Sequence, residues 1–180
     1  MSDLLQALKN RRTVRKFEDK PLQEETLNQI LEATRWTQSW ANTQCWEIVV
    51  VQDPDQKEKL QQTLAKGNPA AKAMVQAPVV LAVCAKLEVS GYYKGQVTTK
   101  FGDWFMFDIG LVTQNICLAA HALGLGSVVV GLFEHDQGQE VLQVPAGHVL
   151  VTYIPIGYPA KIPEAPKRKE LNEFVHFENF

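Results

Sequence analysis

Arg11, Arg12, Arg15 and Lys16 place four cations within six residues, with Thr13 and Val14 between them and Phe17 closing the run. A guanidinium is a planar fork of donors that matches phosphate oxygens, and a threonine hydroxyl adds one donor beside it. The whole chain carries a formal net charge of -2. A positive knot on a slightly acidic chain points to one defined anionic ligand rather than to a polyanion. Taken alone, the same run also reads as a solvated basic stretch after a surface helix.

Three more elements carry chemistry, and each has a plainer reading beside it. The stretch Ser39-Trp40-Ala41-Asn42-Thr43-Gln44-Cys45-Trp46 is a polar loop. Its Asn42 and Gln44 amides can donate and accept, as needed to read the edge of a planar heterocycle, or they can satisfy local backbone groups. The passage from Gly124 to Phe133 is rich in glycine, which lets backbone approach a ligand closely or simply stops a helix before a strand. Pro166-Lys167-Arg168-Lys169 is a second basic cluster far from the first, otherwise a solvated tail.

The elements that must hold these groups follow from periodicity. Leu4, Leu5 and Leu8 share one face of a helix through about Asn10, with Ser2-Asp3 as its cap. Pro21 to Glu25 opens a second helix to about Trp36, with Pro in the first turn and acids at the positive end of the dipole. Trp46–Val51 reads as a strand, and Asp53-Pro54 starts a helix to about Leu64. Gly67-Asn68-Pro69 is a flexible connection before a short helix near 70–76. Pro78–Cys84 is apolar on both faces, as a central strand requires. Residues 88–100 read as an exposed loop, and 104–123 as a long helix apolar almost all round, which demands cover on several sides. A strand at 127–131, a short helix near 136–142 and a strand at 148–157 follow. The alternation lacks clean βαβ spacing and predicts an α+β fold: a central sheet wrapped by helices.

Bulk properties bound the answer. With 180 residues, 46% hydrophobic and 21% charged, the expectation is one domain over 1–180 with a C-terminal arm at about 159–180. The start of the chain lacks a signal-peptide pattern and no apolar run is long enough for a bilayer. Three cysteines without a CxxC fit free thiols in a reducing compartment. A cytoplasmic protein with no membrane partner is expected. Absence of a basic stripe speaks against nucleic acid as a partner. Cys117 and His121, four apart on one helix, read as core residues rather than metal ligands, and no metal site is expected.

The four elements in this order resemble the nitroreductase family of FMN-dependent oxidoreductases. The likeness rests on an Arg-Arg-Ser/Thr-Val/Ile-Arg-x-Phe start at Arg11–Phe17 and a Ser-x-x-Asn-x-Gln-Pro-Trp-like loop at Ser39–Trp46. It continues with Ala-Leu-Gly-Leu-Gly-Ser at Ala122–Ser127, Gly-Tyr-Pro at Gly157–Pro159 and Pro-Lys-Arg at Pro166–Arg168. The resemblance implies a mainly antiparallel sheet in an α+β sandwich, and a homodimer with FMN at the subunit interface and the C-terminal arm on the partner. It assigns the FMN phosphate and ribityl chain to Arg11, Arg12, Thr13 and Arg15, with Arg168 adding a phosphate contact. Asn42, with Ser39 and Gln44 nearby, would meet the flavin ring or ribityl hydroxyls, and backbone at Val130, Gly131 and Leu132 would pass the N5 edge. Trp40, Tyr92 and Phe101 would wall the substrate pocket. Cys45, standing where the family usually has proline, predicts a looser loop.

The implied activity is NAD(P)H-driven two-electron reduction of nitroaromatic, quinone or related small acceptors by a ping-pong mechanism. NADH or NADPH would be the donor, and no side chain would be an essential acid or base. A non-turnover flavin carrier, or a specialised flavin reductase or dehalogenase on the same frame, are the alternatives.

Overall fold

The structure, a computed structural model, describes residues 3–180, so the expected Ser2 cap lies outside the described residues. Helix α1 covers Asp3–Asn10 and α2 covers Glu24–Arg35. Strand β1 (Trp46–Val51), helices α3 (Pro54–Gln62) and α4 (Ala71–Gln76) and strand β2 (Val79–Lys86) follow. A small hairpin of β3 (Tyr92–Tyr93) and β4 (Gln96–Val97) leads to the long helix α5 (Phe105–Ala122). Strand β5 (Gly126–Ser127), helix α6 (His135–Leu142) and strand β6 (His148–Gly157) complete the set.

The main sheet has the order β1-β2-β6-β5, and its ladders are antiparallel. Strand β2 is buried from Val79 to Ala85 because it is covered on both faces. Its alternation sorts two cores. Val80, Ala82 and Cys84 join Leu60, Met74, Phe133 and Tyr153 on one face. Val79, Leu81 and Val83 join Ile30, Ile109, Val112, Ile116 and Ile154 on the other, under α2 and α5. Each fully buried Ile or Leu contributes about 1.5–3 kcal/mol, which makes this sandwich the rigid frame for everything at its ends.

Local chemistry sets the element ends. Asp53 caps α3 by accepting from the Gln56 N–H at 2.8 Å, with Pro54 in the first turn. Helix α5 stops at Gly124, whose φ of +76° is left-handed, and the Leu125 N–H returns to the Ala120 carbonyl at 2.8 Å. The sequence differs from the structure in four places. Helix α2 starts at Glu24 with Gln23 as its cap, so Pro21 precedes the helix instead of opening it. Residues 88–100 are not a plain loop: positive φ at Lys94 and Gly95 makes the tight turn of the β3–β4 hairpin. The expected strand 127–131 shrinks to Gly126–Ser127 plus a single bridge from Val130 to Tyr153. Pro155 accepts from Val128 on that edge but has no N–H to return, so the ladder fails there. His121 is only partly buried, unlike Cys117, which sits in the core.

Apolar surface remains uncovered by the chain itself. No residue of α1 is buried, and Leu4, Leu5 and Leu8 are exposed. Residues 160–180 are exposed throughout, including Phe174, Phe177 and Phe180.

Candidate functional site

Glycine 126 brings the cationic run into place. A Cβ there would meet the Val14 Cβ at 2.6 Å, so only glycine admits the 11–15 backbone beside β5. Thr13 then bridges Ser127 in parallel, and the Val14 N–H donates to the Ser127 carbonyl at 2.9 Å. Val14 is buried, which leaves Thr13 and Arg15 facing the other way along an extended segment. The tail is laced to the same segment: Glu18 N–H to the Tyr158 carbonyl at 2.9 Å, and Ala160 N–H to the Lys16 carbonyl at 3.0 Å. That pairing carries the second basic cluster back to the first.

The result is a cleft of about 290 Å³ lined by Arg11, Arg12, Thr13, Arg15, Pro163, Glu164, Pro166 and Arg168. Arg12 Nη1 is already committed, donating to the Lys9 carbonyl at 2.7 Å and the Arg11 carbonyl at 2.8 Å at the end of α1. Arg11, Arg15 and Arg168 make no ion pair: among the described residues the pairing is confined to Arg35 with Glu32. One carboxylate, Glu164, faces three free guanidiniums. His121 nearby has its pKa lowered, first by burial and then by Arg11 and Arg12, both of which disfavour its charged form.

Arg15 also walls an adjoining cleft of about 230 Å³ with Asn68, Pro69, Ala70 and residues 128–132. Here Val130 is tied back to Tyr153, while the Gly131 and Leu132 N–H groups have no partner within the described chain. A Cβ on Gly131 would meet nothing within 4 Å, so this backbone edge lies open. Asn68 holds it in place, its Nδ2 donating to the Leu132 carbonyl at 3.0 Å and its Oδ1 accepting from the Ala70 N–H at 2.9 Å. Asn68 escaped the sequence reading, where Gly67-Asn68-Pro69 looked like a flexible connection. An amide flanked by two turn formers was the signal available.

The loop at 39–45 lies elsewhere. It is folded on itself: the Ser39 Oγ accepts from the Gln44 N–H at 2.9 Å, and the Gln44 side chain donates to the Asn42 Oδ1 at 3.2 Å. Ala41, Asn42 and Gln44 all have positive φ. Its ends are fastened to Asp108 on α5, through the Trp40 N–H at 3.0 Å and the Cys45 thiol at 3.7 Å. The looseness expected from Cys45 is therefore not found, because the thiol is buried and anchored. Asp108 lies 13 residues before His121 on the same helix, roughly 20 Å along its axis. Ser39, Asn42 and Gln44 thus sit at one end of α5, and Arg11, Thr13 and Arg15 at the other. Trp40 shares its end with the hairpin bearing Tyr92 and with Phe101, whose ring lies 5.6 Å from that of Trp104.

The cysteines are poor redox candidates. Burial first, then the Asp108 charge, pushes the Cys45 thiol up to about 12. Burial pushes Cys84 to about 11, and it raises Cys117 as well. All three are free and buried. Among the described residues no cluster of His, Cys, Asp or Glu could hold a metal ion, and no helix is long and apolar enough to cross a membrane.

An antiparallel α+β sandwich with a cationic cleft at one end of its long helix defines the class. The family model for nitroreductases matches residues 8–158, and the chain belongs to the nitroreductase family. It is 30% identical over 165 residues to a Methanothermobacter thermautotrophicus protein named by similarity as an NADH dehydrogenase/NAD(P)H nitroreductase, covering 89% of this chain and 80% of that protein. It is 30% identical over 171 residues to an NAD(P)H-dependent FMN reductase of Bacillus subtilis, covering 89% and 67% respectively. The solved structure of an FMN-dependent nitroreductase from Clostridium difficile superposes with a TM-score of 0.81 at 27% identity, covering 98% of this chain and 99% of that one.

Proposed function

We propose that the two adjoining clefts hold one FMN. Its phosphate would lie against Arg11, Thr13, Arg15 and Arg168, and its ring along the open edge at Val130, Gly131 and Leu132. The chain is an FMN-dependent NAD(P)H oxidoreductase, a reading supported by the relatives named for FMN reductase and NAD(P)H nitroreductase activities. The observation that carries it is the set of three unpaired guanidiniums facing one carboxylate. A flavin phosphate brings about two negative charges, which this set answers. The free Gly131 and Leu132 N–H groups fit a ring edge that needs a donor.

When bound, FMN carries two electrons taken from NADH or NADPH and passed to a small acceptor. The protein's part is to bind, orient and shield. Among the described residues no His, Lys or Cys lines the 128–132 edge, and in this reading positioning in the pocket carries the reaction without a side-chain acid or base. Asn42 and Gln44 lie too far along α5 to join the same chain's cleft, and we place them against the flavin of a second copy. The exposed leucines of α1 and the exposed aromatics of the tail are the surfaces such a homodimer would bury. Trp40, Tyr92 and Phe101 would then wall the pocket in which donor and acceptor stack by turns. Nitroaromatics and quinones are the acceptors proposed, and the cytoplasm the location.

Initial rates test this reading. With NAD(P)H and a nitroaromatic or quinone varied together, double-reciprocal plots should be parallel, as one pocket used by turns requires. Intersecting lines, meaning both bound together, would contradict it.

A further inference from the structure

Asp108 is a carboxylate with no solvent exposure and, among the described residues, no cationic partner, held in the first turn of α5. Burying such a charge is costly unless donors surround it. Three do. Oδ1 accepts from the Trp40 N–H at 3.0 Å, and Oδ2 accepts from the Ser90 hydroxyl at 2.7 Å and from the Cys45 thiol at 3.7 Å. They come from two segments, the loop and the hairpin base, whose near ends also meet where the Lys86 N–H donates to the Cys45 carbonyl at 2.7 Å. Trp40 and Cys45 bracket the loop that bears Asn42 and Gln44. Ser90 stands at the base of the hairpin that bears Tyr92, and its carbonyl accepts from the Trp104 N–H at 2.9 Å.

The loop needs such a clamp. Ala41, Asn42 and Gln44 have φ of 44°, 57° and 49°, left-handed conformations that cost free energy in residues with a side chain. All three residues are exposed, so packing does not hold them there. A carboxylate is also the side chain that suits the position, because its two oxygens accept several bonds and donate none. An apolar residue of similar size would fill the space and leave the Trp40 N–H and the Ser90 hydroxyl unpaired.

We infer that Asp108 is a positioning residue that sets the ring-reading loop and the acceptor-covering hairpin as one unit. The roles given to the loop and hairpin rest on the flavin reading above; the clamp itself does not. Through Asp108, loosening the hairpin base loosens the loop, although among the described residues Ser90 makes no hydrogen bond to the loop.

The test uses Ser90→Ala and Asp108→Asn in the full chain. Amide hydrogen exchange of the flavin-free protein is followed at residues 40–45 and 90–98. FMN dissociation constants and acceptor KM are measured on the loaded protein. Ser90→Ala should speed exchange at 40–45 as well as at the hairpin, by about tenfold. Asp108→Asn should do the same and raise both the FMN dissociation constant and the acceptor KM. Exchange at 40–45 unchanged in Ser90→Ala would overturn the coupling, and this variant decides even if Asp108→Asn does not fold. A lowered Tm with parental exchange, FMN affinity and KM would reduce Asp108 to a structural residue. Coupled exchange in a protein that takes up no FMN would sustain the clamp and refute the flavin reading alone.

Discussion

Three arginines within the same cleft should respond differently to truncation. Among the described residues Arg11 and Arg168 have no partner, whereas Arg12 Nη1 bonds two carbonyls at the end of α1. A hydrogen bond to a charged group contributes about 1.5–3 kcal/mol. The low end applies here because Arg168 is exposed and screened by salt. Removing both Arg11 and Arg168 therefore costs about 3 kcal/mol of FMN binding, about two orders of magnitude in dissociation constant. Folding should hardly notice, with Tm within about 2 °C of the parent. Arg12→Ala should do the opposite: losing its two bonds costs about 1.5–3 kcal/mol of stability, a fall of about 3–12 °C, with FMN affinity nearly intact. Fluorescence titration of FMN into the flavin-free proteins, beside thermal melts, reads both quantities. If Arg11→Ala/Arg168→Ala binds FMN as tightly as the parent, the phosphate assignment is refuted. If Arg12→Ala releases flavin while its melt is unchanged, the division of labour among the arginines is wrong.

Gly126→Ala drives a Cβ into Val14 at 2.6–2.8 Å. Overpacking of that kind costs about 1–3 kcal/mol, so Tm and FMN affinity should fall together; an unchanged melt would show that the 11–15 segment is not pressed against β5. Truncation after Glu173 removes Phe174, Phe177 and Phe180, exposed in the chain, and should yield monomers in sedimentation; a truncated protein still dimeric would show that the arm is no clamp. Folding raises Cys45 from 9.0 to about 12 and Cys84 from 9.0 to about 11. Because the folded values are the higher ones, this contribution is fully present below pH 9 and is lost as pH rises toward the folded values, at about 1.4 kcal/mol per pH unit for each thiol. Denaturant midpoints should fall above that pH, and native thiols should resist a thiol reagent at pH about 8; rapid native labelling would contradict the burial.

Local signals carried much of the fold. The Asp53-Pro54 start, the apolar β2 run and the Gly124 stop are written in adjacent residues, and each element formed where those residues stand. The cationic run and Arg168 also line one cleft, a meeting that the family resemblance implied and the residue types alone did not. What escaped depends on partners distant in sequence. Asp108 gives no signal of its own in the sequence; its role comes from Trp40, 68 residues away, which donates to it. Asn68 became a site residue only through Leu132, 64 residues on. Arg12 resembled its neighbours in sequence, and only the end of α1 shows its commitment. The failed strand beyond Ser127 was legible in principle, since Pro155 lies within β6, but which edge that proline faces is set by the register.

The visible absorption spectrum of the FMN-loaded protein, recorded without oxygen before and after NADH or NADPH, tests the central claim most directly. The account predicts a bound-flavin spectrum that bleaches on adding the donor and returns with a nitroaromatic or quinone. A protein that stays colourless after FMN is supplied, or a bound flavin that neither donor bleaches, would contradict it.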